Sequence, residues 1–554
     1  MKFSEMKYER VDMEALKSEV EDLMKRFDAA QSGEEQFSVK LELDKVLEHA
    51  SSMMTIASVR NSINVADEFY KAEQDYYDQM RPVLSGIINE FNKKMIESPY
   101  RAYLEEKIGG VAFKTIELSM RSFDEKIIPL MQKENALVSE YEDLLAKAEI
   151  DMDGDVVNLS GLGKYLDSPD REVRKKAAKK RSEYFTEHLD DFDRLYDELV
   201  KNRTEQAKQL GYENYTQMGY DRMNRNSYDR DMVETFRDQV KKYWVPFCEK
   251  LHDRRRQTLG LDKLKYYDEG MYFKEGNPAP KGTPEEILQG GLSMYQELSP
   301  ETGEFMSFMV ENELFDVLGR KNKRTGGYMT YIPDYKAPFV FANFNGTSGD
   351  VDVITHECGH AFQGYVSRDY EISEWRDITM ETAETHSMSM EFFTEPFMER
   401  FFGDRAQDYI DMHLMDSICF IPYGCMVDEF QHIVYDNPEL TPAERRAEWR
   451  KLELVYKPHL DYEDGEYYNN GGFWQKQHHI YSYPLYYIDY CLAQTDALQY
   501  KVWMDKDYKA AWQSYLKLCK LSAKDYFVNM ITECGLESPF EEGTIKKFVE
   551  ALDK

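Results

Sequence analysis

The stretch that decides the fold reads Phe339-Val340-Phe341-Ala342-Asn343-Phe344, then Asn345-Gly346-Thr347-Ser348-Gly349, then Asp350-Val351-Asp352-Val353-Ile354-Thr355-His356-Glu357-Cys358-Gly359-His360-Ala361-Phe362-Gln363. The first block is rich in aromatic and β-branched residues and predicts a strand over 339–344. The second is polar and Gly-bearing, a turn. The third predicts a helix: Thr347 or Ser348 can cap it, and Asp350 and Asp352 lie in its first turn, where the helix dipole favours acids. The order is strand, turn, helix. His356 and His360, four apart, share one helical face, so both imidazoles can reach one cation. Glu357 projects to the side, placed to act on a water at that cation rather than to bind it. Imidazole nitrogen suits zinc, and a catalytic zinc site needs three protein ligands and an open position.

Just upstream, Tyr328–Ile332 predicts a second strand, separated from the first by a turn carrying Pro333, Asp334 and Pro338; the two make a small sheet. Downstream lies the source of a third ligand. A third His six residues after His360 is one known arrangement, but Val366 stands there. The alternative is a carboxylate from the next helix, predicted over Ile378–Phe402, which offers Glu381, Glu384 and Glu391, with His386 nearby. Glu381 and Glu384 are three apart and share a face, so periodicity does not choose between them. Asp352 and Glu391 are placed to orient a ligand, but the plainer reading, solvated or dipole-matched acids, is preferred for both. Cys358 reads as a small filler inside its helix.

Away from this centre the chain reads as helix packed on helix. Met13, Leu16, Val20, Leu23 and Phe27 step by three and four, and similar stripes run through 41–54, 65–88 and 116–148. A breaker cluster at 151–163 carries Gly154, Gly161 and Gly163, and helical patterning resumes over 170–210. The Gly- and Pro-rich stretch 269–299 reads as an irregular surface passage. Length alone, 554 residues, suggests three or four units. The pattern instead predicts an N-terminal helical region, 1–150, and a helical region bearing the metal site, 151–554, packed as one continuous body.

The net charge of −33 repels phosphate backbones and anionic lipid heads, so nucleic acid and membrane surfaces are set aside as partners. Seven cysteines, an odd number without a Cys-x-x-Cys pair, argue against a disulfide framework and a thiolate zinc site. Residues 1–20 alternate charges without an apolar core, and no apolar run approaches a membrane span. A cytosolic protein is expected.

A second constellation follows the Gly-bearing Asn469-Asn470-Gly471-Gly472: His478, His479, Tyr481, Tyr483, Tyr486, Tyr487 and Tyr490. From His479 the steps to Tyr483, Tyr487 and Tyr490 are four, four and three, one face if the segment is helical, although Pro484 would kink it. A phenol is a neutral donor that keeps its proton at neutral pH, so these side chains can hydrogen-bond an oxyanion. The plainer alternative is a Tyr-rich core face in a chain with 40 Tyr.

The sequence resembles the thimet oligopeptidase and oligoendopeptidase F family of zinc peptidases. The likeness rests on Thr355 to Gln363, on Ala383-Glu384-Thr385-His386-Ser387, and on Leu259-Gly260-Leu261-Asp262-Lys263-Leu264 with Tyr267-Asp268; it runs from about Val157 to the C-terminus, the first 150 residues resembling the family only in being helical. In that family a Glu-x-x-Ser segment places its Glu 28 or 29 residues beyond the first His, and Glu384 stands at 28. The resemblance therefore implies Glu384 as the third ligand of one Zn²⁺ per chain. It also implies that His479, Tyr483, Tyr487 and Tyr490 contact substrate and stabilise the transition state. The implied fold is mainly α, a large multi-helix zincin-type metallopeptidase with a small sheet beside the metal helix and a deep channel between helical lobes. The implied activity is cleavage of internal bonds in short peptides, with Glu357 as general base. An exopeptidase of related fold and a non-catalytic peptide- or metal-binding protein are the alternatives; the intact Glu357 argues against the latter.

Overall fold

The computed structural model describes residues 1–159, 161–320, 322–324 and 326–553. Five N-terminal helices, Met13–Ala29, Gly33–Ile63, Glu68–Ile96, Arg101–Ile108 and Gly110–Arg121, enclose an apolar cluster. The stripe read from the sequence, Met13 to Phe27, is buried in it, and the Phe27 ring meets Phe91 edge-on with centroids 5.2 Å apart. Side chains of Asp12, Ser32 and Asp67 cap the first three helices by accepting the free amides of the opening turn. A larger apolar cluster runs from Phe3 and Met6 through Ile56 to Phe548 near the C-terminus.

The breaker at 151–163 holds a hairpin (Ser160 lies outside the described residues). Strands β1 (Ile150–Met152) and β2 (Asp155–Val157) pair antiparallel across Asp153-Gly154, both with positive φ, 60° and 94°. An Asp-Gly pair tolerates that turn, which suits the twist of two short strands. The expectation of an irregular 269–299 fails in its second half, where Pro284–Leu298 is a helix. Thr283 accepts the Glu286 amide while the Glu286 carboxylate accepts the Thr283 amide, and Pro284 occupies the first turn, where its missing N–H is harmless.

The small sheet has three strands in the order β3–β5–β4: β3 (Phe315–Leu318) runs parallel to β5 (Ala337–Phe344), and β4 (Tyr328–Ile332) antiparallel to it. The strand expected at 339–344 is therefore central, and β4 is an edge. From β5 the chain turns into the metal helix, Gly349–Ser367. The expected cap by Thr347 or Ser348 is absent. Instead the Asp350 carboxylate accepts the amides of Asn345 and Gly346, both at 2.8 Å, and clamps the turn from inside the helix.

The connection to the next helix crosses the N-terminal helices. Ile372 lies in their apolar cluster, the Trp375 indole donates to the Ile108 carbonyl at 2.6 Å, Lys40 holds Asp44 and Glu374, and Arg376 pairs with Glu48. The carboxylate helix then spans Met380–Phe393. It is shorter than the expected 378–402, because Pro396 falls in a 3-10 turn before a separate short helix, Glu399–Phe402. Its back packs on the long helix Tyr487–Leu521, which bends at Asp507. Among the described residues no helix is long and apolar enough to cross a membrane.

Candidate active site

The metal helix and the carboxylate helix meet backbone to backbone at Gly359. A Cβ there would lie 2.6 Å from the Ser387 Cα and 2.8 Å from the His386 carbonyl oxygen, so only glycine permits the approach. That contact brings Glu384 under both imidazoles: its Oε2 is 3.3 Å from His356 Nε2 and 3.4 Å from His360 Nε2. Donor atoms of the three residues lie within 4.8 Å of one another, the only such group among the described residues. Two imidazole nitrogens and a carboxylate oxygen are the donor set of a catalytic zinc site with one position left open.

Two of the three donors, Glu384 and His356, are held from behind. Glu384 accepts Ser387 Oγ at 2.9 Å and the Tyr486 hydroxyl at 2.6 Å. Glu391 receives His356 Nδ1 at 2.6 Å through one oxygen and His413 Nε2 at 2.6 Å through the other. His356 Nδ1 thereby keeps its proton on the far side of the ring and turns Nε2 toward the cation. Asp352 accepts the Tyr409 hydroxyl at 2.5 Å. The reading of Asp352 and Glu391 as merely solvated acids is therefore corrected: both are partly buried and engaged by protein donors, Glu391 by the ligand His356 and Asp352 by Tyr409.

The electrostatics agree. Burial opposes ionisation of Glu384, yet His360 and His356 hold its carboxyl well below the ordinary range. Burial likewise opposes Glu391, and bonds from His356 and His413 bring it down to about 2. Two carboxylates converge on His356, a concentration of negative charge that a divalent cation held by the three donors would balance. Glu381, the alternative three residues earlier, faces the other way. Burial raises its carboxyl to about 8, and it accepts from Thr379 Oγ1 at 2.7 Å, next to the buried Arg225–Asp489 pair. His386 is fully buried, with no partner for either nitrogen among the described residues, and stands outside the donor group.

A cavity of about 430 Å³ opens over the three donors, lined by Glu357, by Tyr328, Met329 and Tyr331 of β4, and by Tyr486 and Tyr490. Glu357 has no hydrogen-bond partner among the described residues, so its carboxylate is free to act. The expected continuous Tyr face does not form. His478–Ser482 is a short helix; the chain leaves it at Tyr483, passes Pro484 and Leu485 (φ 68°), and restarts at Tyr487. The break turns Tyr483 outward, 58% exposed, and swings Tyr486 onto Glu384. His479 lies behind the cavity wall among Tyr486, Tyr487 and Tyr490, ring centroids 5.8, 5.0 and 5.8 Å away. Burial, then His478, brings it down to about 4, so it is a neutral imidazole. The helical steps single out Tyr483, Tyr487 and Tyr490 and leave Tyr486, though part of the same constellation, without a role; the kink expected at Pro484 is the signal for the changed register.

A helical body presenting His-Glu-x-x-His on one helix and a carboxylate on the next defines a metallopeptidase of the zincin type. Residues 3–123 match the Peptidase M3 N-terminal domain, and residues 164–550 match Peptidase family M3. The chain belongs to peptidase family M3. The match at 3–123 shows that the N-terminal helices share more with the family than helical character.

Among relatives, the chain is 22% identical over 550 residues to oligopeptidase PepF of Bacillus subtilis (strain 168), covering 92% of this chain and 79% of that one. A solved structure of PZ peptidase A with an inhibitor is 46% identical, with a TM-score of 0.96 over 100% of this chain and 98% of that one. A structure from Bacillus anthracis strain Ames, assigned as an oligoendopeptidase F, is 41% identical, with a TM-score of 0.91 over 100% and 97%. The chain is an oligoendopeptidase F-like metallopeptidase acting on peptides.

Proposed function

We propose that this is a cytosolic zinc endopeptidase of short peptides, with one Zn²⁺ held by His356, His360 and Glu384 and with Glu357 as the general base. The observation that carries the reading is the free carboxylate of Glu357, on the cavity wall beside three converging donors, two of them held by hydrogen bonds from behind. Zinc there would supply Lewis acidity toward the scissile carbonyl and lower the pKa of the attacking water. Glu357 takes a proton from that water and returns it to the leaving amine. Glu384 does not cycle; its Oε2 faces the cation position beside the imidazoles and accepts Ser387, and its Oε1 accepts Tyr486.

Tyr490 lines the cavity with a phenol that burial, then Glu384, keeps protonated, a neutral donor for the developing oxyanion. Behind it, the Tyr423 hydroxyl donates to Gln477 Oε1 at 2.6 Å, which orients the Gln477 amide to donate to His479 Nδ1 at 3.1 Å. His479 then carries its proton on Nε2, as a neutral donor toward the Tyr486–Tyr490 group. Tyr487 supports that imidazole, whereas Tyr483 is assigned no part. Edge pairing of an extended peptide falls to β4, an edge strand whose side chains line the cavity, since the strand at 339–344 is central.

Cleavage of an internally quenched peptide, blocked at both ends, by the wild type and by Glu357→Gln tests the whole reading, with zinc quantified in each. The expected result is near-stoichiometric zinc in both and cleavage by the wild type alone. Zinc in neither removes the ligand assignment; a blocked peptide left intact removes the endopeptidase reading.

A further inference from the structure

Gln477 also lines a second cavity, of about 330 Å³, whose other polar walls include Arg181, Lys457, Lys476, Asp167, Glu269 and Tyr423. Glu269 is fully engaged: it pairs with Lys457, accepts His459 Nε2 at 2.9 Å, and has Arg255 at 3.6 Å. Arg181 and Lys476 are left without a carboxylate. Among the described residues Arg181 finds only the Tyr468 hydroxyl, at 3.3 Å, and the Lys476 ammonium only the face of Phe473, 4.1 Å from its centroid. In a chain with 103 Asp and Glu against 70 Lys and Arg, these two cations share a cavity with Asp167 and Glu269, yet among the described residues neither forms an ion pair with them. Burial first, then Arg181 and Lys457, pushes Lys476 well below its ordinary value, and an anion in the cavity would relieve that repulsion. Tyr423 and Gln477 are common to this cavity and to the hydrogen-bond chain ending at His479, whose ring packs on Tyr486 and Tyr490 of the first cavity, so a chain of contacts links the two.

We propose that Arg181 and Lys476 form a subsite for a carboxylate of the bound peptide, its C-terminal α-carboxylate in the first instance. The proposal rests on the peptidase reading above and adds a recognition element to it. A planar guanidinium and an ammonium together satisfy a carboxylate's two oxygens, and such charge-assisted bonds are stronger than neutral ones. Substrates would then be registered by their end as well as by the scissile bond.

The test compares three peptides of one sequence: a free C-terminal acid, the C-terminal amide, and the amide with Glu as the last residue. The wild type is expected to favour the free acid over the amide about tenfold or more in kcat/KM. Lys476→Met brings that ratio toward one, and Lys476→Arg keeps it, which separates loss of charge from damage to the fold. A Glu-bearing amide favoured as strongly as the acid would place side-chain carboxylates in the same subsite. Wild-type ratios within about twofold of one for both carboxylate-bearing peptides, or a ratio unchanged in Lys476→Met, overturn the proposal. Cleavage of the plain amide by the wild type, abolished in Glu357→Gln, leaves the peptidase reading standing in either case.

Discussion

Gly359→Ala is the sharpest test of how the metal site is built. The new Cβ would sit 2.6 Å from the Ser387 Cα, about 0.8 Å inside the 3.4 Å at which ordinary contact begins, and 3.0 Å from the Met390 Cβ. The neighbour at the shortest distance is backbone, which cannot rotate away, so the two helices must part. Overpacking of this kind destabilises by about 1–3 kcal/mol. Alanine returns up to about 1 kcal/mol through its better helix propensity. The net change in stability is therefore modest, roughly 0–3 kcal/mol. Metal binding responds as well. Glu384 Oε2 is 3.3 and 3.4 Å from the imidazole nitrogens, and a metal site tolerates only about 0.2 Å in its ligand distances. A helix displacement several times that tolerance should weaken zinc by at least about the 10–100-fold seen when supporting residues are lost. Competition against a chromophoric chelator measures the affinity, and a thermal melt of the metal-free protein measures the fold. A Gly359→Ala protein binding zinc within about twofold of the wild type would refute the idea that this contact sets the ligand geometry.

Further outcomes follow from the residues behind the donors. Tyr486→Phe removes the hydroxyl held by Glu384 and should weaken zinc about 10–100-fold, whereas Tyr483→Phe, at an exposed position, should change stability by no more than about 0.5 kcal/mol; chelator competition and thermal melts compare the two. Glu391→Gln can no longer hold protonated His356 and His413 together, so zinc affinity should fall by a similar 10–100-fold, read by the same titration. Stripping the metal with a chelator should lower the melting temperature, and re-adding zinc to about 100 times its Kd should restore about 2.7 kcal/mol; a melt indifferent to metal would count against a cation bound only by the folded state.

The two histidines and Glu357 were legible because i,i+4 spacing on a helix is a local constraint. Glu384 was narrowed to two candidates by the same rule and chosen through a resemblance; the structure separates them by which face the carboxylate helix turns to Gly359, a tertiary fact. The stripe over 13–27 marked the helix Met13–Ala29 closely, whereas the one over 41–54 caught only the middle of Gly33–Ile63. The helix at 284–298 was missed because Pro284 was counted as a breaker when it is a first-turn proline behind Thr283, and β3 was missed because a four-residue strand carries too little pattern. Strand order has no local signature, so nothing in 339–344 marked it as central rather than edge. The Tyr486 contact depended on a chain break at Tyr483–Leu485 that shifts the register of every tyrosine after it.

The crossing between the two ligand-bearing helices has a consequence for exchange with solvent. Ile372, Glu374 and Trp375 are anchored in helices that contribute no residue to the donor group. A cation that binds only the assembled donors stabilises every segment whose opening would let that crossing loosen. Amide protons of Gly33–Ile63 and Arg101–Ile108 should therefore exchange more slowly once zinc is bound, while those of segments that share no contact with the crossing keep their rates.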